Sequence, residues 1–228
     1  MEKVLHFEEI PNDFRFQKLD SDNNSTSYKT TDNKCYKEYH DTGIDDEVTR
    51  MLLDLRSESF MFPQQLVYLN EKFKGYLKRL IDGKSLEKID DAVSVRKFIK
   101  ALYEFETDLI NFSNNTGLNV GYINLHDLLY NLDQNRIILN NTDSIGEEKY
   151  FTGSISCENM KELSNTLVRL FLSCSYDSDR LSKLYDESVL NGRVRPSVLM
   201  DESIREIEKI RPVETIGDYK SGLVLLKK

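Results

Sequence analysis

The stretch Leu19-Asp-Ser-Asp-Asn-Asn-Ser-Thr-Ser-Tyr-Lys29 decides how the first third of the chain is read. Asp20 to Ser25 are all Asp, Ser or Asn, residues whose short side chains bond the adjacent backbone and so favour turns. Ser27-Tyr-Lys29 then reads as β-type, Asp32-Asn33 as a hairpin turn, and Cys35-Tyr-Lys-Glu-Tyr39 as the returning strand. Upstream, Phe14-Arg-Phe16 has the same β character; downstream, Gln65-Leu-Val-Tyr68 and Gly75-Tyr-Leu-Lys78 repeat it. One helix, at about 44–57, interrupts these runs. Thr42 and Asp45 are spaced as a capping box, Val48, Met51, Leu52 and Leu55 follow at helical spacing, and Pro63 lies beyond.

The character of the chain changes near residue 84. Val95, Phe98, Ile99, Leu102, Phe105, Leu109 and Ile110 predict one amphipathic helix, and Met160, Leu163, Leu167, Leu170, Phe171 and Cys174 a second. Helices over about 178–190, closed by Gly192, and about 197–210, stopped by Pro212, follow. Between the two long helices, Arg136-Ile-Ile-Leu139 reads as part of a short hairpin. The expected class is α+β in two lobes. Residues 1–84 form a small antiparallel β-sheet lobe with one helix, and residues 85–228 a mainly helical lobe.

At 228 residues, 39% hydrophobic and 31% charged, the chain can bury a core without a disulfide or metal staple. Its net charge of −8 argues against a nucleic-acid or anionic-membrane surface, both of which need clustered Lys and Arg. Cys35, Cys157 and Cys174 are too few and scattered for a disulfide framework or a zinc site, and Cys174 reads as core. The N-terminus lacks the layout of a signal peptide and no apolar run reaches the length of a membrane span. A cytoplasmic protein with no nucleic-acid and no membrane partner is therefore expected. H-E-x-x-H, paired C-x-x-C, G-x-S-x-G and Walker patterns are absent.

The order of parts resembles that of the protein-kinase-like superfamily over about residues 14–175. The form is degenerate, similar to a small bacterial or phage kinase homologue, and the abundance of Lys, Asn, Ile and Asp fits an AT-rich genome of that kind. The family's G-x-G-x-x-G loop lays bare backbone over the ATP phosphates. Asp20, Asp22 and Ser25 stand in place of its three glycines, with Tyr28-Lys29 following in register. Lys37, ending Lys34-Cys-Tyr-Lys37, resembles the V-A-I-K lysine that binds the α- and β-phosphates, and Glu47 resembles its helical partner. Each has an ordinary alternative: an exposed strand lysine, and a glutamate complementing a helix dipole. Gly75 to Leu86 resembles the fifth strand and the hinge where adenine would dock.

The run Asn124-Leu-His126-Asp127-Leu-Leu-Tyr-Asn131 stands for the catalytic H-R-D-x-x-x-x-N, inside a degenerate loop region at about 121–144. Reading Asn131 as the metal ligand puts His126 at the base position. Reading Asp127 as the base leaves the loop one residue short, and Asp127 could equally cap backbone amides. After the strand 137–139, Asn141 takes the place of the family's metal-binding aspartate, with Asp143 two residues on. A neutral Asn is a weaker ligand for a hard dication than a carboxylate. The interval from Asp143 to the helix near Met160 is short, and no A-P-E motif is present.

The resemblance implies a kinase-like protein with impaired nucleotide and metal sites, a pseudokinase that regulates through an unidentified protein partner. It requires no cofactor, and Mg-ATP binding is weak or absent. The alternative is an active, atypical ATP-dependent phosphotransferase acting on a small molecule or a protein, with Asp127 as base and Asn131 and Asp143 on magnesium. Outside the resemblance, an unrelated α+β adaptor would also fit; absence of a five-stranded antiparallel sheet ahead of the helices would indicate it.

Overall fold

The computed structural model describes residues 2–41, 45–146, 154–172 and 176–226. The chain divides into two compact units, Met1–Asp82 and Gly83–Lys228. Strands and helices together make the class α+β.

The first unit is built on a six-stranded sheet. Its strands are β1 (Val4–Phe7), β2 (Gln17–Ser21), β3 (Ser25–Lys29), β4 (Lys34–Tyr39), β5 (Gln65–Leu69) and β6 (Lys72–Arg79), in the order β1-β5-β6-β4-β3-β2. The expected sheet was wholly antiparallel; β1, which no local pattern announces, adds a parallel edge beside β5, while all other neighbours are antiparallel. Asn70 (φ 48°) and Glu71 (φ 63°) close the β5–β6 hairpin with the paired positive φ values of a type I′ turn. Strand alternation sorts the core onto two faces. Tyr39, Leu66, Tyr68, Phe73 and Tyr76 pack with Leu53 on one, and Tyr36, Val67 and Leu77 pack with Ile10 on the other.

Phe14-Arg-Phe16 is not the expected strand. Asn12–Arg15 is a 3-10 turn entered from Pro11, and Phe14 packs edge-on to Phe7 at 5.4 Å, so the segment covers the sheet instead of joining it. The helix expected at about 44–57 is the shorter α1 (Glu47–Leu52). Thr42 of the expected capping box lies outside the described residues, while Asp45 Oδ1 accepts the Glu47 N–H at 2.9 Å. Of the expected stripe, Leu52 is buried and Val48 and Leu55 are half-buried; Met51 alone is exposed, and Leu53 is buried as well.

The second unit contains β7 (Lys84–Ser85), α2 (Val95–Thr116), β8 (Leu128–Asn131), β9 (Arg136–Leu139), α3 (Ile155–Val168), α4 (Asp179–Tyr185), α5 (Pro196–Glu208) and α6 (Ile216–Leu223). β7, β8 and β9 pair as a small antiparallel sheet. α2 buries Val95, Phe98, Leu102, Phe105 and Leu109 along one stripe, continues through Phe112, and stops at Gly117, whose φ of 69° ends the helix. α4 runs on into a π-helical turn, Asp186–Leu190. α6 was not anticipated, although Thr215 and Asp218 carry its capping box in plain view. Its Tyr219 is fully buried and donates its hydroxyl to Phe171 O at 2.6 Å. Cys174 lies outside the described residues. Among the described residues no helix is long and apolar enough to cross a membrane.

Candidate functional site

The polar run of the first unit is the turn between β2 and β3. Asp22 Oδ1 accepts the backbone N–H of Asn24 and of Ser25, each at 2.7 Å, and its Oδ2 accepts the Ser25 hydroxyl at 3.1 Å. Asp20 Oδ1 accepts the Ser21 N–H at 2.8 Å. Partial burial pushes the Asp22 carboxyl up. The hydrogen bonds from Asn24 and Ser25, with the charge of Lys37, outweigh that and hold it below the usual carboxylate range. The turn thus supplies its own anion to its own amides.

Lys37 sits in β4 between Ser27 of β3 and Tyr76 of β6, and it is buried. Its Nζ lies 5.9 Å from the centre of the Tyr39 ring. Lys78, on β6 opposite Cys35, is buried too, so two cations share one region of the sheet. Burial pushes the Cys35 thiol up, against the opposing pull of Lys78 and Lys37. Glu47, the expected partner of Lys37, is exposed at the first residue of α1. A six-residue helix starting there carries the carboxylate in its first turn, where it complements the dipole. The carboxylate buried next to Lys37 in sequence is Glu38, held by Arg15 through bonds of 2.7 and 2.5 Å.

In the second unit the loop from Leu118 to Asp127 is clamped from two sides. Asn159 of α3 is fully buried; its Oδ1 accepts the Val120 N–H at 2.9 Å and its Nδ2 donates to Ser113 Oγ of α2 at 2.7 Å. Thr166 Oγ1 donates to Ile123 O at 2.7 Å. From the other side, Asn119 and Gly146 exchange two 2.9 Å backbone bonds, and Ser144 Oγ donates to Val120 O and Tyr122 O at 2.7 and 2.9 Å. Gly121, at φ 63°, permits this approach, because a Cβ there would stand 2.2 Å from Ser144 O. Tyr122 emerges from the clamp 65% exposed. Sequence reasoning missed Asn119, Gly121, Tyr122, Ser144 and Asn159; the lone glycine in the run was the one available signal. Asn159→Ala is expected to cost about 2–3 kcal/mol in urea unfolding, since it strands the buried Val120 N–H.

Asp127 ends this loop. Its carboxylate accepts from Asn124 Nδ2 at 2.5 Å and its N–H donates to Asn124 Oδ1 at 3.0 Å, while Asp127 O accepts the Asn140 N–H at 2.8 Å. His126 beside it is exposed. Asn131, the magnesium ligand that the resemblance would imply, lies at the far end of β8, paired with Arg136, and its Oδ1 accepts the Gln134 N–H of the hairpin turn at 2.8 Å. Asp143 follows the opposite, open end of the hairpin, where Leu128 pairs with Leu139; its own N–H donates to Asn141 Oδ1 at 3.3 Å. Asn131 thus sits three residue steps, roughly 10 Å, along β8 from the end of the hairpin that Asp143 follows. The eight-residue spacing was counted as loop, but its last four residues are strand. Among the described residues no group of three or more His, Cys, Asp and Glu side chains is placed to hold a metal ion. In comparisons with known proteins, no family model and no curated protein matches this sequence.

Proposed function

We propose that this chain is a degenerate protein-kinase-like protein that acts by binding a protein partner and does not transfer phosphate. The order of parts supports the kinase-like half of this. Five antiparallel strands, β2 to β6, with α1 between β4 and β5, precede a unit in which α2 leads through a loop into the β8–β9 hairpin.

The observation that carries the loss of phosphate chemistry is the occupied turn Asp20–Ser25. A glycine-rich loop works because bare N–H groups, with no side chains in the way, face anionic oxygens. Here Asp22 already takes the N–H of Asn24 and Ser25, and Asp20 that of Ser21. A triphosphate would have to displace these carboxylates and then sit among them. Two like unit charges about 4 Å apart repel by roughly 1–4 kcal/mol near a protein surface. In the second unit, the family's D-x-x-x-x-N spacing, set with its last member where the loop meets β8 at Asp127, puts Tyr122 at the base position. A neutral phenol does not supply the carboxylate that the family uses there to accept the substrate proton. The active-phosphotransferase alternative needs Asn131 and Asp143 on one magnesium ion, which their places on the hairpin disfavour.

Thermal-shift titration with ATP, with and without magnesium, tests the proposal. Ligand at about 100 times its Kd would stabilise by about 2.7 kcal/mol, several degrees in Tm. No magnesium-dependent rise is expected. Such a rise, or ATP turnover that Asp127→Asn abolishes, would overturn the proposal.

A further inference from the structure

We propose that the cleft between the loop Tyr122–Leu125 and the facing side of α3 binds a small bipolar ligand, an ω-amino carboxylate. Arg169 takes its anionic end and Glu162 its cationic end. The site lies wholly within the second unit and does not rest on the kinase-like reading.

The cleft is built from two fixed walls. Glu162, Asn165, Thr166 and Arg169 line it from α3 and its C-cap, and Tyr122 to Leu125 line it from the loop. Residues seven apart on a helix face the same way and stand about 10 Å apart along its axis. The two walls are tied together through Ile123, whose carbonyl accepts from Thr166 Oγ1 at 2.7 Å and whose N–H reaches Glu162 Oε1 at 3.4 Å. The space measures about 160 Å³. That is roughly five waters' worth, well below the few hundred Å³ of a drug-sized pocket, so it suits one short chain of atoms.

The chemistry of the walls is divided by sign. At one end the Arg169 guanidinium and the Asn165 amide make no hydrogen bond or ion pair among the described residues, so both keep donors for an anionic group. At the other end Glu162 spends one oxygen on a long bond and keeps the second for a cation. Being seven residues apart, the two charges do not neutralise each other as an i, i+4 pair would. Tyr122, Ile123 and Leu125, which also line the cleft, bring apolar surface against which a methylene spacer can lie. A simple carboxylate would meet Glu162 and a protein of net charge −8; a simple amine would meet Arg169. A ligand with both charges and no net charge avoids either conflict. A free ω-amino acid and the C-terminal lysine of a polypeptide both carry this ammonium–carboxylate pair.

Isothermal titration of the full chain with 6-aminohexanoate, hexanoate and hexylamine tests the proposal. Saturable binding of 6-aminohexanoate is expected, about tenfold or more tighter than either single-charge analogue. Arg169→Gln and Glu162→Gln should each bring 6-aminohexanoate down to the level of those analogues. Neither change should alter the Tm, since Arg169 is exposed and glutamine can still accept the Ile123 N–H. A peptide ending in lysine with a free carboxylate separates the two sources: tighter binding than 6-aminohexanoate supports a polypeptide end, weaker binding a free small molecule. No saturable binding, equal binding of the analogues, or unchanged binding by both variants would overturn the site.

Discussion

Gly192→Ala is expected to destabilise the second unit by roughly 2–5 kcal/mol, measured as a fall in the urea midpoint. Gly192 ends the π-helical turn at φ 62°, where an L side chain costs about 1–2 kcal/mol. The larger cost is steric. A Cβ at this position would lie 1.8 Å from Cys157 O, 2.8 Å from Cys157 C and 2.9 Å from Lys161 N, all backbone of α3. Backbone in a packed helix cannot move aside as the tip of a side chain can, so α3 and the turn must part. Overpacking of this sort adds about 1–3 kcal/mol or more. Parting them would also break the buried hydroxyl pair Ser164–Ser188, 3.0 Å apart, which holds the turn to α3. Because α3 also carries Asn159 and Thr166, faster hydrogen exchange of the Val120 amide should accompany the loss. The neighbouring Asn191 is exposed, and Asn191→Ala should stay within about 0.5 kcal/mol of the parent. A Gly192→Ala protein within about 1 kcal/mol of the parent would mean that the close approach to Cys157 does not hold in solution.

How far the sequence can be read depends on whether a feature is local. The stripe of α2 is legible because Val95, Phe98, Leu102, Phe105 and Leu109 declare a period of 3.6 with no help from the rest of the chain. The β3–β4 hairpin is legible for a like reason, since Asp32-Asn33 supplies the turn chemistry and Asn33 adopts the positive φ it favours. β1 is not, because only the partner β5, 62 residues away, makes Val4–Phe7 a strand. Phe14 and Phe16 carry β propensity, yet Pro11 and the packing of Phe14 on Phe7 give that segment a covering role. In the candidate site, the sequence left Lys37 open between a pocket lysine and an exposed strand lysine; its burial comes from its place on β4 between β3 and β6, which no local pattern declares. That Asn131 ends a strand and receives the Gln134 N–H was not legible, because a motif's spacing counts residues without knowing where loop becomes strand. Asn159 and Glu106 were invisible for a third reason. A polar residue on an apolar face is buried only if a distant group satisfies it, and Val120 and Ser197 lie 39 and 91 residues away.

Glu106 gives the other large effect, and its sign depends on pH. The carboxylate is fully buried on α2 and caps the first turn of α5 from outside: Oε1 accepts the Ser197 N–H at 2.8 Å and Oε2 accepts the Ser197 hydroxyl at 2.5 Å. Arg195 lies near, already engaged with Thr107 Oγ1 at 2.9 Å and stacked 4.5 Å over the Tyr103 ring. Burial pushes the Glu106 carboxyl up to about 7, against the bonds from Ser197 and the charge of Arg195, which pull it down. The folded protein therefore holds a proton that the unfolded chain, titrating near 4.5, has released. Stability from this group is fully present below about pH 4.5, falls as pH rises, and levels off above about 7, a loss of roughly 3 kcal/mol.

A glutamine side chain in place of Glu106 would imitate the protonated acid, so Glu106→Gln should match the parent near about pH 5 and exceed it by up to roughly 3 kcal/mol at about pH 8. Glu106→Ala removes both bonds to α5 and leaves a cavity, and about 3–5 kcal/mol should be lost at about pH 5, where most of this group's contribution is still present. Urea unfolding of the three proteins from about pH 5 to about pH 8 measures both effects at once. If the glutamine and glutamate proteins tracked each other across that range, the carboxylate would have to be ionised throughout. The N-terminus of α5 and Arg195 would then be compensating a buried charge in full, and the desolvation that raises its affinity for a proton would have been outweighed.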